Sequence, residues 1–209
     1  MQNHAQDVKG RGRPPKQRGD KLLTREMLVH VGTEVLTEKG YSAVGEILQR
    51  TGISRCSFYY YFKTKEGFGA ELIDRYRHFI TQKLERCLSD TSLSPLGSLR
   101  TFVGEVRDEM ARTDCRSGCL VGKLAQEVNT LPENFREQLS AVFAEWQAVF
   151  ARGLKRAQET GELSPELDCA STAAFFWYGW EGALQRANLE LNIKPVDIFI
   201  GNFFSRLTG

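Results

Sequence analysis

The stretch from Ala170 to Leu184 constrains the fold more than any other part of the chain. Ala173, Ala174, Gly179 and Gly182 are interleaved there with Phe175, Phe176, Trp177, Tyr178 and Trp180, so a helix through it is apolar nearly all round. Such a helix has to be covered on every side. The segment after it, with Val196, Phe199, Ile200, Phe203 and Phe204, reads as a last apolar helix from Pro195 to Leu207. One chain has too few other helices to cover both. Two copies meeting through this pair, in a four-helix homodimer interface, complete the core.

Everything upstream also reads as helix, and the expected class is all-α. Thr24 caps a helix running to Lys39, where Gly40 stops it, with Leu23, Met27, Val31 and Val35 as its buried face. A long amphipathic helix follows from Glu66 to Ser89, carrying Phe68, Leu72, Tyr76, Phe79, Ile80 and Leu84. Ser94-Pro95 is a cap followed by the favoured first-turn proline, and opens a helix to Thr113. A short helix over Leu120 to Val128 comes next, then a Thr130-x-x-Glu133 capping box for a helix that Gly161 ends, and then Asp168 to Leu191. No strand alternation and no internal repeat interrupts the series. With 41% hydrophobic and 26% charged residues the chain is globular. No apolar run approaches the roughly 18 residues of a membrane span, and no apolar leader opens the sequence, so a cytoplasmic protein is expected. Its five cysteines are odd in number and irregularly spaced, which in a reducing compartment reads as free thiols.

The net charge of +2 is unevenly distributed. Residues 1–65 hold 12 Lys and Arg against 6 Asp and Glu, and residues 66–209 hold 16 against 20. The basic part contains a helical hairpin: Glu46 to Thr51, a permissive Gly52, Ser54 as N-cap, and a short helix from Arg55 to Phe62. Arg55 and Ser57 lie in its first turn, from which side chains can reach base edges in a DNA major groove. Successive helical residues are about 100° apart, so Tyr59, Tyr60 and Tyr61 cannot all face one core. At least one hydroxyl is turned outward, free to bond a phosphate, and Lys65 brings a cation to the same side.

The ordered pattern Gly40-Tyr41, Thr51-Gly52-Ile53-Ser54, Ser57-Phe58-Tyr59-Tyr60-Tyr61-Phe62 and Lys65-Glu66 resembles the helix-turn-helix signature of TetR-type transcriptional repressors. The resemblance implies that Arg55, Cys56, Ser57, Tyr59, Tyr60, Tyr61 and Lys65 face DNA. It also implies dimerisation through the last two helices and two reading helices on a palindromic operator. The chain departs from the family pattern in having Cys56 where a small residue is usual. It also has a Tyr41 to Ile47 link about two residues short, which is expected to trim the start of the second helix. Ser117 to Glu127, Leu131-Pro132, Phe135-Arg136 and Phe176 to Ala183 resemble one subgroup, the repressors of acrylate utilisation and of the N-ethylmaleimide reductase operon. That likeness implies induction by small electrophilic or unsaturated compounds, their acids or their thioesters.

Three units are expected: a basic arm over 1–20, a helix-turn-helix domain over 21–66, and a ligand-binding and dimerisation domain over 67–209. In the arm, Gly10-Arg11-Gly12-Arg13-Pro14-Pro15-Lys16 resembles a minor-groove hook, with Arg11, Arg13 and Lys16 as its cations. A solvated tail adding only nonspecific phosphate attraction explains it equally well. In the C-terminal domain the candidate ligand residues are Cys119, Lys123, Trp146, Phe150, Phe176, Trp177, Trp180 and Glu181. Cys119 opens a short helix and precedes Lys123 by four residues, so the helix dipole and a cation are expected to lower its pKa and favour a reactive thiolate. A small buried hydrophobe is the plain alternative for Cys119, and core packing is the plain alternative for the aromatics. Glu181 is harder to dismiss, because a carboxylate among aromatics needs a partner or a function. Trp180 and Glu181 beside Arg186 are read as a polar end to an aromatic pocket with Trp146, Phe150, Phe176 and Trp177. Filling the pocket is expected to swing the Glu66 to Ser89 helix and separate the two reading helices.

No cofactor or metal is expected: Cys115 and Cys119 form a C-x3-C pair without the accompanying ligands of a metal site. The three histidines are His4, His30 and His78, none placed to serve a Cys119 nucleophile, and no catalytic motif is present, which argues against an enzyme. The partners expected are operator DNA, a small-molecule inducer and a second copy of the chain. A constitutive DNA-binding dimer remains as the other reading.

Overall fold

A computed structural model describes residues 18–208, which form nine helices and no strand. They are α1 (Arg18–Lys39), α2 (Val44–Thr51), α3 (Arg55–Phe62), α4 (Lys65–Ser89), α5 (Pro95–Arg112), α6 (Leu120–Gln126), α7 (Glu133–Glu159), α8 (Cys169–Glu190) and α9 (Lys194–Thr208), with a 3-10 turn over Tyr41–Ala43 between α1 and α2. The all-α expectation holds, and most boundaries fall within a residue or two of those the sequence signals. Gly52 and Gly161 take the left-handed φ values of 64° and 78° at the ends of α2 and α7. Ser54, Thr64, Ser94 and Asp168 each accept a hydrogen bond from the backbone N–H three residues on, capping α3, α4, α5 and α8.

Several local expectations fail, each for a tertiary reason. Helix α1 begins at Arg18, so Thr24 lies inside the helix and is buried instead of capping it. Its packed face is Leu28, Val35 and Leu36, whereas Leu23 and Met27 are exposed by 70% and 42%. The four-residue spacing marks a strip beside the true contact with α2 and α4 and shares only Val35 with it. The short link costs α2 nothing: the 3-10 turn absorbs it and α2 starts at Val44, two residues before the expected Glu46. No capping box forms at α7, because Pro132 is the N-cap and the Thr130 hydroxyl donates to the Glu127 carbonyl. On α4 the inward apolar residues include Ile73, and Phe79 is 55% exposed.

Helix α4 is the spine to which both halves are tied. On one side Arg75 pairs with Glu26 of α1 at 2.5 Å and 2.7 Å, and Arg25 of α1 pairs with Glu71. On the other side Glu145 of α7 accepts from Arg77 at 2.6 Å and from Thr81 at 2.7 Å. Helices α7, α8 and α9 then pack around an aromatic stack in which Phe176 lies on Phe150 at 4.1 Å and on Trp180 at 5.7 Å. Gly179 is required there, since a Cβ on it would collide with the Phe199 ring of α9. The outer face of the pair stays uncovered within one chain: Phe175, Tyr178 and Ile198 are exposed by 61%, 72% and 54%.

Candidate functional site

The first candidate site is the outer face of α3. Phe58 and Phe62, four residues apart and therefore on one side, are buried against Phe68 of α4 with ring centroids 5.0 Å and 4.7 Å away. That anchoring turns Arg55, Cys56, Tyr59 and Tyr60 outward, and Tyr60 is 66% exposed. Ser57 and Tyr61 are half-buried: Ser57 gives its backbone N–H to the Ser54 hydroxyl at 3.2 Å, and Tyr61 sits edge-on to Tyr60 at 5.3 Å. Lys65 is exposed at the first position of α4, beside the end of α3. Arg11, Arg13 and Lys16 lie outside the described residues.

The second candidate site is a buried polar cluster that α4, α6, α7 and α8 build together. Cys119 is the N-cap of α6, its sulfur accepting from the Gly122 N–H at 3.3 Å. The Glu181 carboxyl of α8 lies over the same turn, so close that a Cβ on Gly122 would occupy its place, and it faces the Cys119 thiol. Tyr76 of α4 donates its hydroxyl to the Gly118 carbonyl at 3.4 Å and adjoins both Cys119 and Glu181. Its ring meets Trp146 of α7 edge-on at 6.3 Å, and Trp146 stacks on Trp177 of α8 at 5.1 Å. Trp177 precedes Glu181 by one helical turn. Three atoms of this cluster are shut off from solvent and lack any hydrogen-bond partner: Trp146 Nε1, Trp177 Nε1 and Glu181 Oε1. Buried polar groups are almost always paired, so three orphans in one place are unusual for a closed core.

The electrostatics of the cluster reverse one expectation. Burial raises the Glu181 carboxyl to about 7, against a hydrogen bond with Cys119 that lowers it. Burial, and next the facing Glu181 carboxylate, push the Cys119 thiol well above its ordinary range, although the Gly122 and Val121 N–H groups favour the thiolate. Lys123 is not among the groups that act on it. Desolvation outweighs a seven-residue helix. Cys119 is therefore a neutral thiol and not an activated thiolate. Arg186 does not pair with Glu181 either; it turns to Glu190 one turn along α8. Of the eight residues picked out in the sequence, Cys119, Trp146, Trp177 and Glu181 converge, Lys123 stands beside them, and Phe150, Phe176 and Trp180 belong to the aromatic stack with α9.

Cys119 and Glu181 also line a cleft of about 390 Å³. Lys123 and the exposed Arg186 line it too, and Thr37 of α1 supplies one wall. The Thr37 hydroxyl is buried without a hydrogen-bond partner. A second tie to the N-terminal helices lies at the far end of α6, where the Glu127 carboxylate accepts from the Tyr41 N–H at 3.0 Å and packs against Gly40. Gly40 has φ 80° and no room for a Cβ. Neither Thr37 nor Glu127 was marked by the sequence, which carries no pattern for a contact between residues so far apart. Tyr76 was visible only as one member of an apolar stripe.

The chain matches two family models, Bacterial regulatory proteins, tetR family, over residues 28–72 and Tetracyclin repressor-like, C-terminal domain, over residues 95–203. It is 44% identical to the transcriptional regulator AcuR of Cereibacter sphaeroides over 195 residues, covering 92% of this chain and 89% of that protein. It is 24% identical to the HTH-type transcriptional repressor NemR of Escherichia coli over 176 residues, 83% of this chain and 88% of that one. The crystal structure of regulatory protein TetR from Rhodobacter sphaeroides superposes with a TM-score of 0.84 at 43% identity, covering 87% of this chain and 97% of the other.

Proposed function

We propose, because the chain belongs to the tetR family of bacterial regulatory proteins, that this transcriptional regulator represses by binding a palindromic operator as a homodimer and lets go when a small molecule fills its C-terminal domain. The DNA contacts are assigned to Arg55, Cys56, Tyr59, Tyr60 and Lys65, with Ser57 and Tyr61 supporting from the inner edge of α3, and the basic arm adds Arg11, Arg13 and Lys16. The uncovered apolar face of α8 and α9 supports the dimer, which would place two α3 helices on two half-sites. The inducer is a small unsaturated acid or its thioester, such as acrylate or its coenzyme A ester.

One observation carries the ligand reading: Trp146, whose ring meets Tyr76, Trp177, stacked on Trp146, and Glu181, which faces Tyr76 and Cys119, each hold a buried polar atom without a partner. Two indole N–H donors and a carboxyl that is half-protonated near neutral pH suit a carbonyl or carboxyl oxygen. A ligand that supplied it would satisfy groups that otherwise cost free energy. The raised thiol favours reversible binding over thiolate attack at Cys119. To release DNA, the ligand has to prefer the conformation in which the two α3 helices no longer match the operator, by about 1.4 kcal/mol per tenfold loss of occupancy.

The test is a titration of operator-bound protein with short unsaturated acids, their thioesters and neutral electrophiles. Acids or thioesters are expected to release the wild type and Cys119→Ser alike and to fail with Glu181→Gln. Release by electrophiles that only Cys119→Ser abolishes would install the thiol-sensor reading instead. No release by any of them would leave a constitutive DNA-binding dimer.

A further inference from the structure

We propose that the cleft between α1, α6 and α8 is an anion site, that it takes the carboxylate end of a short organic acid between Lys123, Arg186 and Thr37, and that the ligand thereby touches the DNA-binding module itself. The proposal rests on the ligand-released repressor reading and adds to it the place of the carboxylate and a direct contact with α1.

The cleft carries two cations: Lys123 makes no ion pair among the described residues, and Arg186 is balanced only by Glu190. Glu127, the other acid on this side of α6, is turned away onto the Tyr41 N–H. Beside the two cations are Cys119, which burial keeps neutral, and Glu181, which burial leaves half-protonated near neutral pH and neutral below it. An anion entering head first would meet Glu181, and its apolar body would lie among the cations. The opposite orientation places the charge between Lys123 and Arg186 and the neutral body toward Cys119 and Glu181. A volume of about 390 Å³ suits a small molecule.

Thr37 is the independent sign that something polar belongs there. Its side chain is nine-tenths buried, it lines the cleft, and its hydroxyl has no partner. A threonine whose only role was packing would return its hydroxyl to the carbonyl four residues back, as Thr33 does on the same helix at 2.9 Å. A carboxylate reaching from Lys123 would accept from Thr37 as well. Thr37 lies three residues before the Gly40 turn that leads into α2 and α3, so such a ligand bridges α6 to the module that holds the reading helix. The coupling then has a path that does not pass through α4.

The experiment measures binding of acetate, propionate and acrylate, and of acetamide, propionamide and acrylamide, to the full chain without DNA by calorimetry. Melting temperature is recorded for every variant. The acids are expected to bind and the amides not to. Lys123→Gln should weaken the acids about tenfold or more, as loss of a charged hydrogen bond does, and Thr37→Val about three- to tenfold. If the acids bind but Lys123→Gln, Arg186→Gln and Thr37→Val bind them equally well, the cleft is not the site, while the repressor reading stands. A neutral Thr37→Val beside a weakened Lys123→Gln overturns the contact with α1. Failure of every acid to bind, or equal binding of acids and amides, overturns the anion class. Acids that bind through the cleft yet leave operator DNA bound overturn the release mechanism and not the site.

Discussion

Glu181 gives the molecule a pH-dependent contribution to stability. Its carboxyl sits at about 7 when folded, against an ordinary value of 4.5. Between those values the folded chain holds the proton more often than the unfolded chain does, so stability falls as pH rises through that window, and the whole penalty is present above it. At about 1.4 kcal/mol per unit this amounts to roughly 3 kcal/mol. Tyr76 and Cys119, which face it, are both pushed above their ordinary ranges and stay neutral throughout the window. Glu181→Gln keeps the shape and removes the titration. It is expected to match the wild type near pH 5 and to be the more stable protein near pH 8; parallel denaturation curves at both pH values would exclude a buried, titrating acid. On the DNA side, Arg55→Ala is expected to cost about 1–3 kcal/mol of binding and relax the preference for one base pair. Tyr60→Ala is expected to weaken all sequences alike. Operator titrations alongside circular dichroism check both, and full affinity in the two variants would take the reading role away from α3.

At the scale of elements, α6 is the part whose stability is least its own. Seven residues are far too few to hold a helix in water. It is fixed at its start by Cys119 and the Glu181 carboxyl over Gly122, and at its end by Glu127 on the Tyr41 N–H. A change at the buried cluster is therefore felt at the turn between α1 and α2. Glu127→Ala removes one charge-assisted hydrogen bond and is expected to loosen that turn by about 1–2 kcal/mol. Hydrogen exchange should then speed up over residues 40–47 and operator affinity should fall. Unchanged exchange there would mean that α4 alone, through Arg75–Glu26 and Arg77–Glu145, transmits between the halves. The sequence placed α6 correctly because Gly and Cys break the chain before a short apolar run, but its two ends are anchored by residues more than fifty positions away.

At the scale of the whole molecule, the proposed dimer rests on the exposed face of α8 and α9. Phe175, Tyr178 and Ile198 would leave a large apolar surface in water if the chain stayed single. The double variant Phe175→Glu, Tyr178→Glu puts two carboxylates into the face, where pairing would desolvate them, and is expected to yield a helical monomer with little operator affinity. Sedimentation checks the mass, and a dimer that persists would place the interface elsewhere. The all-α class, the hairpin with its caps, the outward tyrosines and the apolar perimeter of α8 were all legible in the sequence. They depend on local backbone chemistry and on the period of apolar residues along one helix. Periodicity also misled, since Leu23 and Met27 fit a four-residue spacing yet lie one strip away from the face that α4 covers. Only the tertiary structure decided that Cys119 is a neutral thiol, that Glu181 and Tyr76 close on it, and that Thr37 and Glu127 join the two halves. Desolvation and long-range contact depend on which helices meet, and no single segment of the chain records that.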